Sequence, residues 1–338
     1  MLRNAIDIPL LAEEGNIPNS TSRQFIHSMT ARNVGTDIIV SPFTARSGTA
    51  HAALKVNGYR GPSTQIDAIQ RHYDRLSAFY RTFWGDHIHH GLWEGARNAK
   101  EAQVALIERL AAKADIRPGS HVLDVGCGLG GSSIWLARNL KCTVVGLTIS
   151  PVQLEIATRR ARRQGLSGRV QFRLQDANDL SNENEFDCVW VVECSEHLFN
   201  KVGFISRAAA ALHAGGVLAL CAWLRADGPL GNSGRLLIDR VCRGMLCPSL
   251  GTKSEYCKWI TAAGLSIRTA DDITAAVSKT WHLGRKIVQK PIVQKILMTA
   301  ESETVAFVNS FNDMAEAYSG GVMSYGMFAA VKERPRDE

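Results

Sequence analysis

Three clusters of side chains have the types and spacing to do chemistry. Asp124-Val125-Gly126-Cys127-Gly128-Leu129-Gly130 sets an acid two residues ahead of three alternating glycines. Such glycines let the main chain bend sharply and approach a flat ligand closely. Glu193-Cys194-Ser195-Glu196-His197 puts two carboxylates beside an imidazole, a set able to move a proton near neutral pH. Tyr73 to Trp93 concentrates aromatic and imidazole groups, among them Trp84, His87, His89 and His90, which suits an apolar substrate pocket closing over a bound cofactor. The three histidines lack a matching array of cysteines or carboxylates, so no metal is expected.

The glycine run does not match the two common phosphate-binding patterns. A dinucleotide fold wants G-x-G-x-x-G with an acid about 20 residues on, and a P-loop ends in Gly-Lys-Ser/Thr. Here the spacing is Gly126-x-Gly128-x-Gly130, no lysine follows, and the next strand ends in Gly146-Leu147-Thr148 without a carboxylate. A nicotinamide oxidoreductase is disfavoured on that ground.

These clusters need elements to hold them. Residues 121–125 form an apolar strand, and Ile134-Trp135-Leu136-Ala137 opens the helix beyond the glycines. Residues 142–148 form a second strand; Ser150, Pro151 and Gln153 then have the form of a helix start with a capping box. A third strand, 170–174, runs into Gln175-Asp176-Ala177, where an acid just past a strand end can accept from an adenine amino group. The fourth strand, 186–192, delivers Glu193, Glu196 and His197 to its carboxyl edge, and residues 217–223 form a fifth. Helices are expected over 99–114, 204–212, 255–263, 274–298 and 305–318, with short strands at 265–268 and 323–331. Five βα-like units give an α/β fold, a doubly wound and mostly parallel sheet with helices on both faces. Residues 1–65 are expected to be a variable extension. A single α/β domain follows over 66–332, with a helical cap at 66–98 and pocket-forming insertions at 224–263 and 274–318.

Composition narrows the class further. The chain has 338 residues, 45% of them apolar, enough for a substantial core. No run approaches the roughly 18 apolar residues of a membrane span, so no integral membrane segment is expected. The net charge of +7 comes from dispersed basic residues; the densest group, Arg159, Arg160, Arg162 and Arg163, reads as a solvated helix face, and nucleic acid is not an expected partner. None of the eight cysteines forms C-x-x-C, which points to a reducing compartment. Between Gly15 and Gln65 the only acid is Asp37, a faint transit-like bias. Asp7, Glu13 and Glu14 weaken it, and a cytoplasmic location is preferred to organelle import.

Three separated motifs carry a family resemblance. Asp124-x-Gly126-x-Gly128-x-Gly130 resembles motif I of class I S-adenosylmethionine (SAM) dependent methyltransferases. The tract Phe83-Trp84-Gly85-Asp86-His87-Ile88-His89-His90-Gly91, with Leu147-Thr148-Ile149-Ser150-Pro151-Val152-Gln153 and Glu193-Cys194-Ser195-Glu196-His197-Leu198, resembles the gamma-tocopherol C-methyltransferase-like group. Sterol C-methyltransferases and cyclopropane fatty acid synthases are similar more distantly. The resemblance implies a Rossmann-like sheet of seven strands with an antiparallel final hairpin, and SAM as cofactor. It implies that Asp124, Gly126, Gly128 and Gly130 hold the methionine part, that Thr148 and Gln153 meet ribose and amino acid, and that Asp176 and Ala177 face adenine. Tyr73 and Trp84 would cap the sulfonium side, with Glu193 also at the cofactor. Cys194 and Ser195 stand where tocopherol enzymes usually carry Ser and Gly, so the acceptor is not transferred with the fold.

The expected reaction is in-line attack on the sulfonium methyl by an apolar small-molecule acceptor, whether prenylated phenol or quinol, isoprenoid or alkaloid-like amine. A base near neutral pKa would take the acceptor's proton. His197 is the first candidate, Glu196 the second or the partner that orients it, and His90 the third. A non-catalytic partner protein on the same fold is the alternative.

Overall fold

The computed structural model describes residues 62–298 and 300–334. Nearly all of the expected extension over 1–65 lies outside the described residues.

Short apolar runs build the sheet. β1 (His121–Val125), β2 (Thr143–Thr148), β4 (Phe186–Val192) and β5 (Leu212–Arg225) are buried over most of their length, as strands covered on both faces must be. Alternation sorts their side chains: Val122, Cys188, Trp190 and Ala219 join one core, Leu123, Val189 and Leu218 the other. With β3 (Val170–Leu174), β6 (Leu265–Asp272) and β7 (Met323–Lys332) the order is β3-β2-β1-β4-β5-β7-β6. β1 to β5 pair in parallel, and β7 runs antiparallel to β5 and β6. This is the doubly wound, mostly parallel seven-stranded sheet expected. Its last pair is a hairpin in pairing only, because the helices of residues 274–319 are inserted between β6 and β7. The winding reverses between β1 and β4, which opens a crevice at their carboxyl ends.

Eleven helices surround the sheet among the described residues: α1 (Pro62–Phe83), α2 (Ala99–Lys113), α3 (Gly131–Asn139), α4 (Pro151–Arg163), α5 (Lys201–Ala211), α6 (Asn232–Gly244), α7 (Lys253–Ala262), α8 (Thr274–Val277), α9 (Lys279–Val288), α10 (Pro291–Leu297) and α11 (Ser302–Ser319). Ser150 caps α4 as its sequence suggests, its hydroxyl accepting from the Gln153 N–H at 3.0 Å. The single helix expected over 274–298 is broken into three. Pro291 has no N–H for a continuing helix and instead starts α10, where that lack costs nothing.

The crevice is roofed by segments far apart in sequence. α1, the loop 84–98, α6, α9 and α11 meet over β4 and β5 through contacts such as Tyr80 on Phe307 and Trp84 on Phe311. α1 is tied to the second βα unit by the Ser150 hydroxyl, which donates to Asp74 at 2.5 Å. That bond fixes the residue next to Tyr73.

Candidate active site

Two cavities lie side by side at the carboxyl edge. The first is an open cleft between the ends of β1, β2 and β4, lined by Gly126, Gly128, Thr148, Gln153, Asp176, Ala177, Glu193, Cys194 and His197, with Tyr73 and Ile88 from above. The second is an aromatic chamber lined by Tyr80, Trp84, Trp223, Trp281, Phe307 and Phe311, with His89, His90, Met245 and Thr280. Tyr73, Ile88 and Glu193 line both. They are the partition.

The cleft's floor follows from backbone conformation. Gly126 and Gly128 turn at φ 75° and 53°, where a side chain is strained, and a Cβ on Gly128 would project toward the cleft with only Ile88 Cδ1, at 4.0 Å, near it. Asp124 and Gly130, expected with the other two glycines to hold the methionine part, do not line the cleft. Asp124 is buried beneath the turn and accepts the Ser133 hydroxyl at 2.5 Å, so it anchors the first turn of α3. Burial pushes its carboxyl up to about 7 against the opposing pull of Ser133. Gly130 begins α3 at φ 76°.

On the second wall, the Thr148 hydroxyl donates to Gln153 Oε1 at 2.9 Å and accepts the Ser150 N–H at 3.1 Å. Thr148 is therefore spent on Gln153. The Gln153 Nε2 remains a buried donor without a protein partner. Asp176 lines the cleft while its Oδ1 accepts from the Asn178 N–H at 2.8 Å. These features fit SAM: an open glycine turn for the main chain of the methionine part, an unmatched amide donor at the second strand, and an acid beyond the third.

Trp84 was expected on the sulfonium side of the cofactor. It lines the chamber rather than the cleft, packed 5.9 Å from Trp281 and 5.4 Å from Phe311, because α1 ends just before it and the chain turns inward.

The proton-transfer candidates separate in the same way. Glu193, at φ 53° where β4 ends, accepts on Oε1 from the His90 N–H (2.7 Å), His90 Nδ1 (2.9 Å) and the Tyr325 hydroxyl (2.7 Å). Burial alone would raise its carboxyl, but the His90 ring and the two hydrogen bonds from His90 reverse that and hold it at about 2. His90 has nothing left for a substrate, since its Nε2 accepts the Trp281 indole N–H at 2.5 Å. His197 keeps its Nδ1 on the Leu246 carbonyl at 3.3 Å and accepts the Tyr73 hydroxyl on Nε2 at 3.0 Å. Burial lowers it to about 4, so the imidazole is neutral. Glu196 does not orient His197. The turn Ser195–His197 sends Ser195 to the Tyr256 hydroxyl at 2.7 Å and Glu196 to the Trp223 N–H at 2.5 Å, and Glu196 lines neither cavity.

The chamber draws most of its lining from the tract Tyr73–Trp93 and from the two insertions expected to form a pocket, but sequence reasoning did not single out Trp223, Trp281, Phe307 or Phe311 within it. Phe307 and Phe311, four apart on α11, carry the one available signal, an aromatic pair on a single helix face.

Comparison with known proteins agrees with this picture. The family model described as mycolic acid cyclopropane synthetase matches residues 61–290. The chain is similar to the chloroplastic tocopherol O-methyltransferase of Arabidopsis thaliana, 27% identical over 78% of this chain and 81% of that one. It is also similar to the 27-O-demethylrifamycin SV methyltransferase of Amycolatopsis mediterranei, 32% identical over 63% of this chain and 79% of the other. Among solved structures, the cyclopropane synthase MmaA2 from Mycobacterium tuberculosis shares the fold, with a TM-score of 0.71 at 20% identity over 79% of this chain and 98% of that one.

Proposed function

The chain belongs to the mycolic acid cyclopropane synthetase family of SAM-dependent methyltransferases, and from that premise we propose that SAM occupies the cleft while an apolar acceptor occupies the aromatic chamber. Bound SAM supplies an electrophilic methyl group on a sulfonium. The observation that carries this reading is the shared partition: Tyr73, Ile88 and Glu193 touch both cavities, so donor and acceptor would meet there.

Each residue then has a task. Gly126 and Gly128 leave room for the methionine part, Gln153 offers its free amide N–H to the ligand, Thr148 aims Gln153, and Asp176 and Ala177 stand where the adenine would lie. Glu193 places a fixed carboxylate at the partition, opposite in sign to a sulfonium. Tyr73, donating its proton to His197, keeps its oxygen lone pairs toward the reacting methyl, and His197 positions Tyr73. Beneath them, Asp124 and Gly130 support the glycine turn.

The chamber describes its occupant. Its walls carry aromatic rings, one carboxylate already bonded by three donors, and no lysine or arginine, so it favours an uncharged apolar molecule over a phosphorylated one. A prenylated phenol or quinol, an isoprenoid, or a neutral alkaloid-like secondary metabolite meets that description. No helix among the described residues is long and apolar enough to cross a membrane. A cytoplasmic location is proposed over organelle import, to be checked by imaging a C-terminal fluorescent fusion.

The test is methyl transfer from isotopically labelled SAM to a panel of prenylated phenols, sterols, amines and prenyl diphosphates. Label in a neutral apolar acceptor supports the assignment. Label confined to the diphosphates refutes it.

A further inference from the structure

The chamber contains a histidine that neither the proposed cofactor site nor the Tyr73–His197 pair uses. His89 lines the chamber and is 6% exposed. Its Nδ1 lies 2.7 Å from the His90 carbonyl, which can only accept, so Nδ1 carries the ring proton and Nε2 is a bare lone pair. That Nε2 is buried without a partner. Trp223, 8% exposed on the chamber wall, has the opposite deficit: its indole N–H is buried and donates to nothing.

Other polar groups of the wall have partners. Tyr73 bonds to His197, Tyr80 to His72, His90 to Glu193 and Trp281, and Thr280 accepts from Gly91 and Trp93. A buried donor or acceptor left unmatched destabilises the structure that holds it. The described residues supply no match for either atom.

We infer that His89 is the residue that takes the acceptor's proton, and that His89 Nε2 and the Trp223 indole N–H together recognise a neutral hydroxyl group on the acceptor. A hydroxyl both gives and takes a hydrogen bond and so answers both deficits. A hydrocarbon answers neither, and an ammonium, which has no lone pair, leaves the Trp223 N–H unmatched. The inference rests on the acceptor occupying the chamber. In the transfer, a lone pair of the hydroxyl oxygen forms the bond to the methyl carbon as the carbon–sulfur bond breaks with its electron pair moving to sulfur. The hydroxyl proton passes to His89 Nε2. Burial lowers His89, with the His90 ring acting the same way and Glu193 and the His90 carbonyl opposing, so the imidazole is neutral and ready to accept. His87, whose ring centre is 5.3 Å away, is itself lowered by burial and adds no fixed charge.

The experiment uses the full chain with S-adenosylhomocysteine and three probes, 4-prenylphenol, its methyl ether and prenylbenzene, read by quenching of tryptophan fluorescence. The phenol should bind at least about tenfold tighter than the hydrocarbon, the worth of one or two net hydrogen bonds. His89→Ala should erase the advantage of phenol over ether, and Trp223→Phe that of ether over hydrocarbon, with S-adenosylhomocysteine affinity by calorimetry unchanged as the check on folding. With 4-prenylphenol as acceptor, His89→Ala should also lower the methylation rate at pH 7 by about 100-fold, with recovery as the pH nears the phenol's own ionisation around 10. Equal binding of the three probes to the unmodified protein, or discrimination and rate that survive both substitutions, overturns the inference alone. Failure of all three probes to bind while S-adenosylhomocysteine binds overturns the chamber as acceptor site, and the inference with it.

Discussion

The Tyr73 hydroxyl lies 3.0 Å from His197 Nε2, and the opposite nitrogen of that imidazole is held by the Leu246 carbonyl at 3.3 Å. The carbonyl fixes the tautomer, so His197 must accept from the phenol. A tyrosine on helix α1 is thereby set at the partition between cleft and chamber by a residue at the far side of the sheet's switch point.

Tyr73→Phe should lower kcat about tenfold, the loss of one well-placed polar contact at the reacting methyl. His197→Ala should cost about the same, and the double variant no more than either, because the two act as one unit. Affinity for S-adenosylhomocysteine should change by less than about threefold in each. Additive losses in kcat would show that His197 acts on the substrate independently of Tyr73.

Thr148 spends its hydroxyl on Gln153 rather than on the ligand. Thr148→Val keeps the volume and releases the Gln153 amide to rotate. SAM affinity measured by calorimetry should fall about tenfold, and stability by about 1 kcal/mol because the Ser150 N–H loses its acceptor. Unchanged affinity would mean that Gln153 is held by other means.

Gly128 combines a positive φ with an open side facing the cleft. Gly128→Val should abolish detectable SAM binding while the far-ultraviolet circular dichroism of the fold persists, since the nearest obstacle is the end of one isoleucine side chain and the added methyl groups project into ligand space. Gly128→Ala should give an intermediate affinity. A Val variant that binds SAM normally would move the methionine part away from this turn.

The sheet and cleft floor were legible because they depend on local pattern. Apolar runs, an acid before alternating glycines and a Ser-Pro-x-Gln helix start each determine geometry within a few residues of themselves. The proton-transfer groups were not legible, because the role of a histidine depends on which of its nitrogens is already occupied. His90 is consumed by Glu193 and by a tryptophan on α9, His197 by Tyr73 and by a carbonyl after α6. Nothing near either residue in sequence announces those partners. The place of Trp84 in the chamber was not legible for a related reason: its neighbours Trp281 and Phe311 come from insertions that sequence spacing alone does not bring together.

Glu196 is 1% exposed, with Oε1 on the Trp223 N–H and Oε2 without a partner. Burial pushes its carboxyl up to about 8, the nearby Glu193 charge adding to the rise and the Trp223 N–H opposing it. A carboxyl raised on folding keeps a proton that the unfolded chain releases. Its stabilising contribution is therefore complete below about pH 4.5, where both states are protonated, and is lost as the pH climbs through 8. Glu196→Gln keeps an acceptor for the Trp223 N–H but cannot ionise. Urea unfolding of the ligand-free protein at pH 5, 7 and 9 should show the variant gaining on the unmodified chain as the pH rises. Its relative gain between pH 5 and 9 should be on the order of 4 kcal/mol, the linkage value of a shift of this size. A stability difference that stays constant across the three pH values would mean that Glu196 ionises as freely in the folded protein as in the unfolded chain, and that its buried, unpartnered oxygen is reached by water.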